Sequence, residues 1–234
     1  MSIYKYVSNQ QRADALLRGT VWFNSLAYFQ RIEDAAVRGD SFEGSSLYRP
    51  KNGLPLDLQD RRIELPEGYG LNNTADRENI YVFCASTRLN EEIWTRFGAS
   101  HCVEILDIKA FCQRIIAHLP DSARFPIPLG RPARATSRLG NRVIYYDPSE
   151  PPGVRISLPD IATSSKRHEF AWQSEYRLAF TLTDAFAFDK FEYRISRALP
   201  ESIESRKNDH FPVEIGPIHD IARLAEIHGE CNAG

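Results

Sequence analysis

The sequence predicts a mixed α+β fold, and three observations lead there. Short β-branched and aromatic runs recur along the whole chain, stretches of helical spacing fall between them, and strand-like segments dominate the second half. Of the 234 residues, 42% are hydrophobic, which is enough to bury a substantial core in one elaborated domain spanning 1–234. No internal repeat or low-complexity tract divides it.

The opening IYKYVS is β-branched and aromatic, as a strand requires. From Asn9 to Arg18 the spacing turns helical, with Ala13, Leu16 and Leu17 on one face. Gly19 is placed to end that helix, and Thr20 to Phe23 resumes as a strand. Leu26, Phe29 and Ile32, with Ala35 and Ala36, predict a second helix closing at Gly39. The chain from there to Arg77 is rich in Gly, Pro, Asn and charge, and reads as a long loop insertion over about 38–78. Arg38, Asp40 and Glu43 form a charged cluster within it.

Asn79 to Ser86, NIYVFCAS, is nearly continuous in apolar residues and of strand length, so a central strand buried on both faces is expected. NEEIWTRFG reads as a short helix, HCVEILDI as a strand and KAFCQRIIAHL as an amphipathic helix. A second insertion, about 120–168, opens on the one strongly basic segment, where Arg124, Arg131, Arg134, Arg138 and Arg142 meet a single acid, Asp121. RVIYYD and GVRISL look like strands, and Ala162 to Glu169 is polar and loop-like. WQSEYRLAF follows as a strand, AFAFDKFEYRIS as one or two more, and HDIARLAEIH as a final helix.

Composition excludes several classes. A formal net charge of −2 rules out a globally basic protein, so nucleic-acid contact would need a local patch. No apolar run approaches the ~20 residues of a membrane helix, and MSIYKYVS lacks the parts of a signal peptide, so a soluble cytoplasmic protein with no membrane contact is expected. Cys84, Cys102, Cys112 and Cys231 form no CxxC pair and suit buried reduced thiols better than a disulfide frame or a metal site. Gly-rich phosphate loops with their Lys, HExxH and G-x-S-x-G are all missing. His101 reads as a hydrogen-bonded structural histidine.

Along WQSEYRLAF, strand alternation sets Trp172, Ser174, Tyr176, Leu178 and Phe180 on a core face, and Gln173, Glu175, Arg177 and Ala179 on the other. The second face is either solvent or a site. An amide, a carboxylate and a guanidinium in a row are, taken alone, the ordinary pattern of a half-exposed, ion-paired strand, and a reaction surface is the other reading.

The chain resembles the ADP-ribosyltransferase superfamily, in its toxin-like branch. The order IYKYVS, helix ending LLRG, strand VWF is similar to that superfamily's first motif, QSEY to its last in the Q-x-E form, and FCAST to its Ser-Thr-Ser strand. It also resembles a widespread family of uncharacterised bacterial and phage proteins whose YRYVS, FC-x-S, W-x-x-Y-A-x-x-H and W-x-x-E-Y-R motifs appear here as YKYVS, FCAS, WTRFGASH and WQSEYR. Where that family carries a Phe-Asn-Asp-Pro turn this chain has SLAYFQRIED, which leaves Tyr28 and Ser25 as candidates for the second-motif position.

The resemblance implies a split β-sheet with flanking helices and long loop insertions, NAD as substrate, and transfer of ADP-ribose to a nucleic acid or protein. It implies a toxin or anti-phage effector held by an antitoxin. Glu175 would be the catalytic carboxylate and Gln173 its acceptor-facing partner, Q-x-E members tending to modify amides or nucleobases. Tyr6 and Ser8 would hold the nicotinamide ribose and amide, Tyr28 would stack on the ring, and Lys5 and Ser86 would also belong to the NAD site. Lys166, Arg167 and His168 would contact the target. Arg134 and Arg138 of the basic segment would do so too, unless that segment cradles the NAD pyrophosphate or is simply a solvated loop. Breaking the bond between nicotinamide and ribose builds oxocarbenium character, which a fixed carboxylate stabilises more than it does the ground state. The alternative is a non-catalytic module that binds a nucleotide or nucleic acid on the same fold.

Overall fold

The computed structural model describes residues 1–31, 42–126, 139–151, 158–197 and 209–226. In chain order these hold β1 (Ile3–Val7), α1 (Gln10–Leu17), β2 (Thr20–Ser25), α2 (Leu26–Arg31), β3 (Ser45–Tyr48), β4 (Leu54–Leu58), β5 (Arg61–Leu65), β6 (Gly70–Thr74) and β7 (Ile80–Ser86). They continue with α3 (Glu91–Arg96), β8 (His101–Ile105), α4 (Ile108–His118), β9 (Gly140–Arg142), β10 (Ile144–Tyr146), α5 (Pro159–Thr163) and β11 (Ser165–Arg167). A 3-10 helix (His168–Gln173) precedes β12 (Glu175–Thr181), and β13 (Glu192–Ser196), β14 (His210–Glu214) and β15 (Ala222–Leu224) complete the set. The class is α+β, with several antiparallel sheets.

The largest sheet runs β14-β2-β7-β1-β8-β15, with β12 also on β7 and β9 beyond it. One edge of β7 is paired with β12 from Glu175 opposite Ser86 to Thr181 opposite Ile80. Its other edge is divided between two strands. β2 takes Tyr81 and Val82, β1 takes Ser86, and Phe83, Cys84 and Ala85 lie between them. β1 and β2 both run antiparallel to β7, joined by α1, and they splay apart over this interval. Lys5 reaches into the opening, where Nζ donates to the Cys84 carbonyl at 2.7 Å and sits 4.6 Å from the centre of the Phe83 ring. A backbone acceptor left without a strand partner is thus satisfied by a side chain.

Sequence explains how the first strands are held. Asn9 caps α1 by accepting from the Arg12 N–H, and Ala13, Leu16 and Leu17 turn inward. Gly19 has φ +102°, and a Cβ there would lie 1.9 Å from the Gly216 carbonyl oxygen, so both conformation and close approach require glycine. On one face of the large sheet Phe23, Phe83, Phe111, Ile115, Leu178 and Phe180 form the main core. Leu26, Ile80, Val82, Ala162, Ala179 and Phe191 pack on the other.

Four expectations are corrected. The stretch 38–78 is not a loop where it is described: β4 and β5 form a hairpin, and β13-β6-β3 form a second sheet. Pro55 and the turn at Gln59 and Asp60 obscure the alternation of LPLDL and RRIEL, while β6 buries Asn72 and Asn73, which carry no apolar period. Ala162 to Glu169 is not loop-like, since α5, β11 and the start of the 3-10 helix occupy it. The strand expected from Trp172 begins only at Glu175. The expected final helix instead supplies β15, because its pairing with β8 and the burial of Ile218 and Ile221 override helical spacing. The edge strand β14 escaped notice because of Pro212, which an edge tolerates. The C-terminal part of the second predicted helix, most of GVRISL and Cys231 lie outside the described residues.

Candidate functional site

A cavity of about 460 Å³ lies at the opening between β1 and β2, lined by residues of both strands and of β7. Lys5, Tyr6, Ser8, Tyr28, Ser86, Gln173 and Glu175 all line it, although they come from widely separated stretches of sequence. Lys166 lines it as well, with Arg12, Trp22, Asn24 and His210. None of those last four stood out in the sequence. His210 sits on a strand that was not expected, and its Nδ1 lies 2.7 Å from Asn24 Oδ1. The Tyr28 ring meets the His210 ring edge-on at 4.8 Å between centres.

The hydroxyls that the sequence offered as ligand contacts are engaged in holding the backbone. Tyr6 Oη donates to the Arg88 carbonyl at 2.9 Å and accepts from the Asn90 N–H at 2.9 Å, and burial pushes its phenol up to about 12. Ser86 Oγ donates to the Gln173 carbonyl at 2.8 Å and accepts from the Arg88 N–H at 3.1 Å. Thr87 gives the Ser174 carbonyl two bonds, from its N–H at 2.8 Å and its Oγ1 at 3.0 Å. The hydroxyls of FCAST therefore fix the turn that carries QSE. That turn has Ser174 at φ 45° and ψ 49°, the only described non-glycine residue with positive φ. It ends the 3-10 helix and redirects the chain into β12, so Gln173 and Glu175 reach the cavity from two different elements. Ser8 is exposed, its carbonyl accepting from Ser100 Oγ at 2.8 Å.

Glu175 and Arg177 share one face of β12, and that face is neither solvent nor an ordinary ion-paired surface. Glu43, Lys166, Glu175 and Arg177 form a buried cluster, exposed by 1%, 5%, 6% and 1%. Arg177 Nε donates to Glu175 Oε1 at 2.8 Å, its Nη2 to Glu43 Oε1 at 2.8 Å, and its Nη1 to the Thr163 carbonyl at 2.7 Å. Lys166 Nζ lies 3.0 Å from Glu175 Oε2 and 3.0 Å from Glu43 Oε1, and donates to Gln173 Oε1 at 2.8 Å. Burial alone would push the Glu175 carboxyl up, but Arg177 and Lys166 outweigh it and hold the group well below the ordinary carboxylate range. Burial likewise opposes the charge of Lys166, and Glu175 and Glu43 more than offset it. Burial, with Glu175 adding to it, pushes the Cys84 thiol up, so that group is inert. Cys84, Cys102 and Cys112 are all free.

The expected target contacts separate. Lys166 lies on β11 and not in a loop, and it belongs to the buried cluster. Arg167 packs over Phe42 and Phe170 and pairs with Glu169 at 2.7 Å. His168 alone of the three is exposed. Arg134 and Arg138, with Arg38 and Asp40, lie outside the described residues. His101 has Ser100 Oγ 2.8 Å from Nδ1 and does not line the cavity. By sequence Glu43 belongs only to the charged cluster within the long insertion. Its bond to Arg177, 134 positions away, leaves no local signal to find it by.

Among the described residues no helix is long and apolar enough to cross a membrane. No protein-family model matches the chain, and neither a curated protein nor a solved structure matches it.

Proposed function

We propose that this chain is an ADP-ribosyltransferase-like protein that takes NAD in the cavity beside β7 and transfers ADP-ribose to a macromolecule, nucleic acid or protein. The observation that carries the reading is convergence: all seven residues assigned to catalysis or NAD binding from sequence motifs line one cavity. Two further features support it. β1 and β2 share one edge of β7 and part over three residues, which suits the split sheet that the resemblance implies, and the cavity is of a size for a drug-sized or larger ligand (~300–1,000 Å³). Its walls fit a dinucleotide, with aromatic faces at Trp22 and Tyr28 for flat rings and cationic groups at Lys5 and Arg12 for phosphates.

On this reading Glu175 works as a permanent carboxylate. Its depressed pKa suits an acceptor of ribose hydroxyl hydrogen bonds facing positive charge, and it is unsuited to shuttling protons. As the bond from ribose C1′ to the nicotinamide nitrogen breaks, the bonding pair leaves with nicotinamide. The acceptor's lone pair forms the new bond at C1′, and the acceptor's proton passes to solvent. Gln173, its side-chain Oε1 held by Lys166, lines the cavity beside the carboxylate, where it would meet an acceptor. A cytoplasmic toxin or anti-phage effector with an antitoxin partner is the biological setting we propose.

The test is incubation with NAD followed by assay of free nicotinamide and mass spectrometry of protein, RNA and DNA. Glu175→Gln is expected to retain ADP-ribose binding and to lose at least ~100-fold in nicotinamide release. Unchanged release would remove Glu175 from catalysis. A second reading, a non-catalytic nucleotide-binding module, is favoured by one observation: both Glu175 oxygens already meet cations. NAD binding with no nicotinamide released in any mixture would establish that reading instead.

A further inference from the structure

Glu43 does not line the cavity, yet it is bound to both cations that hold Glu175. The cluster contains two carboxylates and two cations, so its formal charge is zero. Glu43 Oε1 takes Lys166 Nζ and Arg177 Nη2 at 3.0 and 2.8 Å, which divides each cation between two carboxylates. Its other oxygen, Oε2, is buried with no hydrogen-bond partner. Buried polar atoms are rarely left so, and Glu43 meets both cations through one oxygen alone. What Glu43 supplies at this position is a negative charge. Without it Lys166 and Arg177 would belong to Glu175 alone, and the end of the cavity beside Glu175 would face a net charge of +1 in surroundings that screen poorly.

We propose that Glu43 sets the charge of the Glu175 end of the cavity, and with it the preference for a cationic over a neutral ring, by acting through Lys166 and Arg177. Glu43 is a positioning and specificity-determining residue, and the proposal rests on the reading that the cavity takes a nicotinamide dinucleotide. NAD and its reduced form NADH are suited to the test because they differ in ring charge, the oxidised pyridinium being positive and the reduced ring neutral.

The experiment measures the dissociation constants of NAD and NADH by calorimetry for the full chain and for Glu43→Gln, Glu43→Asp and Lys166→Gln. Glu43→Gln is expected to weaken NAD relative to NADH by about tenfold. Glu43→Asp keeps the charge and should keep the wild-type ratio. Lys166→Gln leaves the cluster at −1 and should move the ratio the opposite way. A purely structural role would weaken both ligands equally in Glu43→Gln, and that outcome overturns the proposal while leaving the NAD reading intact. If Glu43→Gln does not fold, Lys166→Gln decides, and an unmoved ratio there overturns it. Wild type binding neither dinucleotide overturns the NAD reading, and this proposal with it, a result visible before any variant is made.

Discussion

Two arginines flank the turn at Phe42 to Gly44 and differ in how their burial is compensated. Arg177 has four hydrogen bonds to carboxylates and a carbonyl, and although burial opposes its charge, Glu175 and Glu43 raise its pKa. The stem of Arg77 passes Gly44, its Nη1 is buried without a partner, and burial lowers its pKa despite more distant help from Glu192 and Glu78. The same side chain is thus a keystone in one place and a burden in the other. What differs is the number of anions within hydrogen-bond reach, and only the first arginine adjoins the cavity's carboxylate.

The largest effect expected follows directly. Arg177→Met leaves Glu43 and Glu175 buried with Lys166 alone and should cost about 3–5 kcal/mol in urea unfolding. Arg77→Met removes a poorly paired charge and should cost less than about 1 kcal/mol, or stabilise. Equal losses would break the comparison.

The pH dependence gives a smaller effect with a definite sign. Glu175 titrates below its ordinary 4.5 in the folded chain, so its stabilisation is fully present above that value and is lost as pH falls through the folded pKa. Lys166 is raised above its ordinary 10.5, so its share is fully present below that value and is lost only at still higher pH. Stability from the cluster should therefore be flat between about pH 5 and 10 and fall in acid, by up to roughly 2 kcal/mol at pH 3. Glu175→Gln should lack that acid loss, as denaturant titrations at pH 6 and pH 3 would show.

The comparison also shows what a sequence can reveal. The helix from Gln10 to Leu17, the central strand NIYVFCAS and the helix KAFCQRIIAHL were legible because each buries an apolar face with its own period. The polar row Gln173, Glu175, Arg177 was visible too, and its strangeness was the clue to a buried cluster. Its partners were not, because Glu43 and Lys166 arrive from segments whose polarity reads as loop. Strands such as GLNNT, with inward asparagines, follow hydrogen-bonding demands that leave no hydrophobic pattern. His210 and Trp22 join the cavity only through the pairing of β14 with β2, which no local spacing announces.

The smallest expected effect concerns the turn that joins Gln173 to Glu175. Ser174 adopts a left-handed conformation that costs a non-glycine residue about 1 kcal/mol, and it is held there by two bonds from Thr87 to its carbonyl. Ser174→Gly removes the steric cost but frees the unfolded chain, so its melting curve should lie within about 1 kcal/mol of wild type, on the stabilised side. Ser174→Val places a β-branched residue where φ is positive and should destabilise by about 1–3 kcal/mol. The two variants act at one position with the same Thr87 bonds available, so only backbone conformation separates them. If they melted together, the turn would not be held left-handed, and Gln173 and Glu175 would lie on one continuous strand as their spacing first suggested.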